Sequence, residues 1–383
     1  MRFLHTSDWH LGRIFYGTYL TNDQAHILDQ LVTLIKDQKA EALIIAGDIY
    51  DRAVPPIEAV QLLDEVLSRI MMDCKIPVIM IAGNHDSPER LGFGNRLLAK
   101  QGLHVIGQPG QQLQPIILHD KTGPVYFLPI PYAEPALVQE RLALSAAVDH
   151  HGAMQAMIEC LQARIPSDAR RVAVAHAFIA GGQVSESERP LSVGGSGQIS
   201  PVLFKPFHYT ALGHLHNVQT AGAANIRYAG SLLKYSFDEA NHRKGITIVD
   251  MDDSGHISLE QVTLSPRRDV RRLDGLLRDI LEAPMGKGQE DFIMVSLQDT
   301  EPILDVMGKL RQVYPNVLHV ERPALTTGGE LRKPFGDHRR QGEEQLFSSF
   351  YAQVTGQDLS SDQSTEMNLI LDDLFRQRRE AMG

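Results

Sequence analysis

Five short apolar runs in this chain each end on a polar motif, and that recurrence constrains the fold more than any other feature. FLHTS leads into Asp8-Trp9-His10, ALIIA into Gly47-Asp48, and IPVIMIA into Gly83-Asn84-His85-Asp86. VAVA leads into His176, and YTAL into Gly213-His214-Leu215-His216. Short β-branched runs read as strands, and the longer amphipathic stretches between them make the pattern that of an α/β layer fold. In such sheets the loops at the carboxyl ends of strands converge where ligands bind, so five ends can build one site. The donors delivered there are carboxylate, amide and imidazole without thiolate, a mixture suited to borderline divalent ions such as Mn²⁺, Fe²⁺ or Zn²⁺. They exceed the needs of one ion. Two ions about 3.5–4 Å apart, bridged by one carboxylate, would use them all and would serve phosphoester hydrolysis by in-line displacement.

The expected strands are Arg2–Ser7, Ala42–Ala46, Ile76–Ala82, Val125–Pro129, Arg171–Ala175, Tyr209–Leu212, Ile226–Ala229 and Gly245–Val249. Thr21 and Gln24 have the spacing of a capping box, ahead of Ile27, Leu28, Leu31, Leu34 and Ile35 at helical intervals. Pro55-Pro56 opens a second helix with Val60, Leu63, Leu67, Ile70 and Met71 on its apolar face, and a third is expected over Pro88–Lys100. Ala180–Ser200, rich in Gly, Ser and Glu, reads as a long surface loop of the kind that is often functional. Ser265–Arg272 reads as a linker. A small unit follows, with a helix near Leu273–Leu281, a strand Phe292–Leu297, a helix Glu301–Val313 and a strand Val317–Val320. The chain closes on helical segments Glu343–Tyr351 and Asp362–Arg379.

Composition narrows the function classes. The 383 residues are 43% apolar and 22% charged, as in a globular protein of two or three units. The net charge of −10 excludes coating of nucleic acid by bulk electrostatics, so any such contact must be local. Candidates for local contact are Arg267, Arg268, Arg271 and Arg272, and Arg332, Lys333, Arg339 and Arg340. Two cysteines, Cys74 and Cys160, cannot make a disulfide framework or a thiolate zinc site. No apolar h-region opens the chain and no stretch approaches the ~18 residues of a membrane span, so a cytoplasmic protein without membrane contact is expected. Of the 16 histidines, His5 lies inside the first strand and reads as a core residue. Asp86 reads as a cap for the helix near Pro88, and Trp9 either as facing DNA or as packing beside the site.

The ordered set D-x-H, G-D-x-x-D-R, G-N-H-D, a lone histidine after a strand, and G-H-x-H resembles the calcineurin-like metallophosphoesterases. The opening HTSDWHLG, Ala229-Gly230-Ser231 followed by Tyr235-Ser236-Phe237, the small domain and the helical tail are similar to the SbcD-type nucleases within that superfamily. The resemblance implies a four-layer sandwich, two central mixed sheets flanked by helices, over residues 1–265. It further implies a small α+β DNA-capping domain over 266–325, then a linker and C-terminal helices over 326–383 that bind the coiled coil of an SbcC-like ATPase.

Carried over position by position, it implies that Asp8, His10 and His216 bind one metal ion, that Asp48 bridges, and that Asn84, His176 and His214 hold the second. His85 would contact the scissile phosphate or protonate the leaving oxygen, with Asp51 orienting it and Arg52 holding a phosphate. Where several homologous nucleases carry histidine, this chain has Asp51. Two Mn²⁺ ions, DNA as substrate and a homodimer formed through the helix near Pro56–Met72 complete the expectation. The activity implied is a DNA exonuclease and endonuclease in break and hairpin processing. The alternative is a metallophosphoesterase for small phosphodiesters or phosphoproteins, since the metal constellation does not name the substrate. A scaffold without catalysis is the third possibility, against which stands a competent residue at every ligand position.

Overall fold

The computed structural model describes residues 1–109, 113–189, 197–282, 288–301, 303–323, 347–348, 351, 357–367 and 370. Contacts divide the chain into one unit over Met1–Arg271 and a second from Arg272 onward.

Two six-stranded mixed sheets form the first unit. One runs edge to edge through Ile257–Thr263, Gly245–Met251, Arg2–Thr6, Ala42–Ile45, Val78–Ile81 and Leu103–Ile106, with the last four parallel. The other runs through Gln219–Ala221, Ala223–Tyr228, Tyr209–Gly213, Arg170–His176, Gly123–Ile130 and Ile116–Asp120, with the middle four parallel. Alternation along the central strands decides which residues meet. Phe3, Ala42, Ile44, Ile79 and Ile81 from one sheet pack against Val125, Phe127, Val172, Val174 and Tyr209 from the other. The opposite face of the second sheet, with Leu128, Ile130, Ala173 and Leu212, is covered by the helix His150–Gln162 through Met154, Met157, Ile158 and Leu161. The inner face of the first sheet is already filled. Its crossover helices Thr21–Asp37 and Ile57–Ser68 therefore cover its outer face, which completes the four-layer sandwich. Every strand expected within residues 1–265 is present in this sandwich.

Several local expectations are corrected. Thr21 does not cap the first helix; Leu20 occupies that position, and the Gln24 side chain is drawn to the loop before it, accepting from Gly12 N at 3.1 Å and donating to His10 O at 2.7 Å. The third helix breaks into Pro88–Leu91 and Asn95–Ala99, because Gly92 and Gly94 flank the break and Gly94 is left-handed. The second helix buries Ala59, Leu62, Leu63 and Val66, whereas Val60 is exposed. Trp9 is buried and its indole N–H donates to Thr6 Oγ1. His5 is a core residue, its Nδ1 2.8 Å from the Tyr209 hydroxyl.

The segment Ser265–Arg272 is more than a linker. Gln30 bonds Ser265 at both N and O, Arg268 pairs with the buried Asp23, and Val270–Gly275 is a strand. Arg268 is thereby committed to a carboxylate, and Arg272 lies 3.8 Å from Glu321, which weakens this cluster as a phosphate-binding patch. The second unit carries a three-stranded sheet in the order Val270–Gly275, Phe292–Leu297, Val317–Glu321. Helices Leu277–Glu282 and Val306–Arg311 pack on it, their Leu277, Ile280 and Leu310 sharing one core with Ile293, Val295, Leu297 and Val317. The helix expected near Leu273–Leu281 thus begins only at Leu277, since Val270–Gly275 alternates between buried or half-buried and exposed positions in the strand manner. Residues 361–367 are helical, with Ser360 and Gln363 exchanging side-chain to main-chain bonds as a capping box. Arg332, Lys333, Arg339 and Arg340 lie outside the described residues, as do most residues of the expected helices Glu343–Tyr351 and Asp362–Arg379.

Candidate metal centre

The motifs are delivered by strained strand ends. Asp8, His10 and Asp48 have φ of 54°, 46° and 50°, and His214 has 106°, a region non-glycine residues seldom occupy. Hydrogen bonds hold them there. Asp8 N donates to Gly47 O, His10 N to Asp48 O and Leu11 N to Ile49 O, all at 2.9–3.0 Å, so the first loop is zipped to the second. The buried Asp86 carboxylate accepts from the main-chain N–H groups of Ile49, Tyr50 and Gly83 and ties the second loop to the third. This replaces the helix-capping role expected of Asp86, whose pKa burial raises to about 7. Glycine is required at the closest approaches. A Cβ on Gly83 would lie 2.1 Å from Asp48 Oδ1, and one on Gly213 2.0 Å from Ala46 O.

At the centre stands one oxygen. Asp48 Oδ2 faces His176 Nε2 at 3.5 Å, His10 Nε2 at 3.7 Å and His85 Nε2 at 3.9 Å, while Oδ1 accepts the His85 main-chain N–H at 2.9 Å. Three imidazole nitrogens thus surround a buried carboxylate oxygen beyond hydrogen-bond range. His176 Nδ1 bonds Ala46 O at 2.9 Å, which leaves a lone pair on Nε2, 2.9 Å from Asn84 Oδ1. Both atoms are ones that a divalent ion beside them could use as ligands. His10 Nδ1 is buried without a hydrogen-bond partner. Asp8, His10 and His216 bring ligand atoms within 4.8 Å of one another, as do Asp8, Asp48 and His176, and His10, Asp51 and His85. His214 packs its ring against His176 at 5.4 Å, and its main-chain N–H donates to Asp8 at 3.0 Å.

Charge points the same way. Burial and then the Asp48 charge push the Asp8 carboxyl well above the ordinary range. Burial and then neighbouring imidazoles hold His10 and His214 well below theirs, so these rings are neutral and available as ligands. Paired carboxylates and neutral imidazoles in one buried cradle fit divalent ions.

Asp51 differs from expectation. Its carboxylate accepts from Arg13 at 2.8 Å, and it is the main-chain oxygen of Asp51 that lies 2.8 Å from His85 Nδ1. The backbone therefore orients His85. Asp51→Asn keeps that bond, and turnover is expected to change by less than about tenfold, the scale of one peripheral hydrogen bond. A single-turnover rate falling much further would put the carboxylate itself into the chemistry. Arg52 is exposed on the same turn.

The long segment Ala180–Ser200 is not simply a surface loop. Its described residues include Ser187, whose hydroxyl is 2.6 Å from His216 Nδ1, and Glu188, which accepts from His216 N at 2.5 Å. Together with Gln24, Glu239 and Lys244 these are site residues that sequence reasoning missed.

Residues 1–133 match the family model described as calcineurin-like phosphoesterase. The SbcD component of the SbcCD nuclease in Staphylococcus epidermidis is 32% identical over 97% of this chain and 98% of its own. Its namesake in Staphylococcus saprophyticus is 31% identical over 98% and 99%. The chain belongs to the SbcD family. Residues 266–355 match a second model, described as a type 5 capsule protein repressor C-terminal domain, so the SbcD likeness extends past the metal centre. Among solved structures, a dimetal phosphatase from Danio rerio covers 69% of this chain and 96% of its own at 12% identity and a TM-score of 0.42. One signal for the missed residues lay beside an SbcD-like motif, since Glu239 follows Tyr235-Ser236-Phe237 by two positions.

Proposed function

We propose that this chain is a metal-dependent nuclease that hydrolyses DNA backbone phosphodiesters, exonucleolytically and endonucleolytically, as one component of a complex with an SbcC-like coiled-coil ATPase in the cytoplasm. The observation that carries the reading is Asp48 Oδ2 at 3.5–3.9 Å from three imidazole nitrogens, with His10 on one side and His176 on the other, so that Asp48 would serve both ions. Asp8, His10 and His216 would hold one divalent ion, Asn84, His176 and His214 the other, with Mn²⁺ the ion of choice. Such ions supply Lewis acidity at the phosphate and lower the pKa of water.

The chain's own residues do the rest. Asp51 O accepts the Nδ1 proton of neutral His85, so Nε2 carries the lone pair and faces the centre, 3.9 Å from Asp48. Burial holds the His85 pKa below its usual value, so a proton that Nε2 takes from solvent is held weakly and would pass readily to the leaving oxygen. Arg13, paired with Asp51, braces the turn that carries this carbonyl. The unit from residue 266 is assigned to capping DNA and the C-terminal helices to the ATPase. Among the described residues no helix is long and apolar enough to cross a membrane. Exposed Ile57 and Val60 on the second helix, with exposed Val54 and Met72 flanking it, support a homodimer.

The test uses full-length protein, Mn²⁺ and end-labelled duplex DNA, with and without the ATPase partner. Metal-dependent cleavage that His85→Ala reduces at least about a hundredfold is expected, the usual scale for a general acid. Robust hydrolysis of a generic aryl phosphodiester without any DNA cleavage would overturn the assignment of substrate.

A further inference from the structure

Behind His216 lies a set of buried side chains that ligate nothing. The Lys244 ammonium donates to Glu239 at 2.6 Å, to Ser231 Oγ at 2.8 Å and to the main-chain oxygen of His216 at 2.8 Å. Glu239 has no exposed surface, and its other oxygen lies 3.1 Å from His216 Nδ1. The Ser187 hydroxyl sits between them, bonded to Glu239 and 2.6 Å from the same Nδ1. Glu188 accepts the main-chain N–H of His216. Every polar group of His216 except Nε2 is therefore held.

Packing alone does not account for this arrangement. An apolar pair of the same volume in place of a buried ion pair is often as stable or more so. An apolar pair cannot accept a proton from Nδ1, however, whereas a carboxylate there fixes the ring's tautomer and orientation and raises its basicity as a ligand. The other half of the centre is braced differently. His176 Nδ1 meets only the neutral carbonyl of Ala46.

We infer that the buried Glu239–Lys244 pair, with Ser187, is a positioning device for His216 that presents Nε2 to the ion shared with Asp8 and His10. The inference rests on the two-ion reading above and makes the two ions unequal in their dependence on this pair.

Mn²⁺ titration of the full chain, followed by calorimetry and electron paramagnetic resonance, tests it. Wild type should take up two ions. Glu239→Gln should bind one normally and the other about 10–100-fold more weakly, the usual cost of losing such a partner. Because a single change leaves a buried charge unpaired, the double variant Glu239→Leu/Lys244→Met provides the control. It should remain folded without metal and still bind the ion held by Asp8, His10 and His216 about 10–100-fold more weakly. Normal uptake of both ions by that folded double variant overturns the inference alone. Fewer than two ions in the wild type overturns the two-ion reading, and the inference with it.

Discussion

Asp48→Asn is expected to abolish Mn²⁺-dependent cleavage, with a loss of about 10³-fold or more in turnover and no tight binding of either ion. The substitution keeps the shape of the side chain and removes what the site is built around. Oδ2 is the one atom that faces His10, His85 and His176 together, and an amide nitrogen in its place cannot ligate a cation. Lewis-acid stabilisation by metal is worth several kcal/mol, and each ~1.4 kcal/mol is tenfold in rate. The fold should survive, because Oδ1 still accepts from His85 N and the main chain of Asp48 still accepts from His10 N. In metal-free buffer the variant should even melt slightly higher, since the Asp48 charge is one of the two main causes of the raised Asp8 pKa. Removing it relieves a buried repulsion. Mn²⁺ is expected to raise the melting temperature of wild type by binding the native state, and that rise should be absent in the variant. A variant that still cleaves, or still shows that rise, would remove Asp48 from the centre.

The parts of this site legible in the sequence are those where one local signal carries the chemistry. A β-branched run followed by Gly-Asp, Gly-Asn-His-Asp or Gly-His-Leu-His announces a strand end and a polar donor at once, and the sheets bring those ends together. Gln24 was not legible, because an i, i+3 pair with Thr21 has the same spacing whether it caps a helix or braces a loop. Tertiary contact with Gly12 and His10 decides between them. Nor were Ser187, Glu239 and Lys244. They reach His216 from segments 29, 23 and 28 residues away in sequence, where no periodicity links them. The role of Asp51 was half visible. Position brings the residue to His85, but only the backbone conformation turns its carbonyl rather than its carboxylate toward the ring. The break in the third helix was readable in principle, since two glycines each cost about 1 kcal/mol of helix propensity. The strand Ile257–Thr263 likewise carries its own partial alternation, and lies outside the expected set because only its first half is regular.

Asp120→Asn should cost about 3–5 kcal/mol, the largest stability effect expected away from the metal centre. Asp120 ends an edge strand of the second sheet, and its side chain is almost fully buried against that of Arg170, which opens a central strand of the same sheet. Both carboxylate oxygens take a guanidinium N–H at 2.8 Å, and Arg170 also donates to Gly123 O and Asp252 O. Such a bidentate pair is among the stronger side-chain contacts, and neutralising one partner leaves the other as an uncompensated buried charge. The hydrogen bond from Arg170 is the main reason the Asp120 carboxyl sits far below the ordinary carboxylate range. The sign of the pH effect follows. A depressed folded-state pKa contributes stability that is fully present above the unfolded value of about 3.9 and drains away as the pH falls toward the folded value. Chemical denaturation of metal-free protein between pH 7 and pH 3 should therefore show the gap between wild type and Asp120→Asn narrowing only below about pH 4. A constant gap over that range, or a cost under about 1 kcal/mol as for an exposed pair, would mean that Arg170 is held by its carbonyl partners and not by the carboxylate.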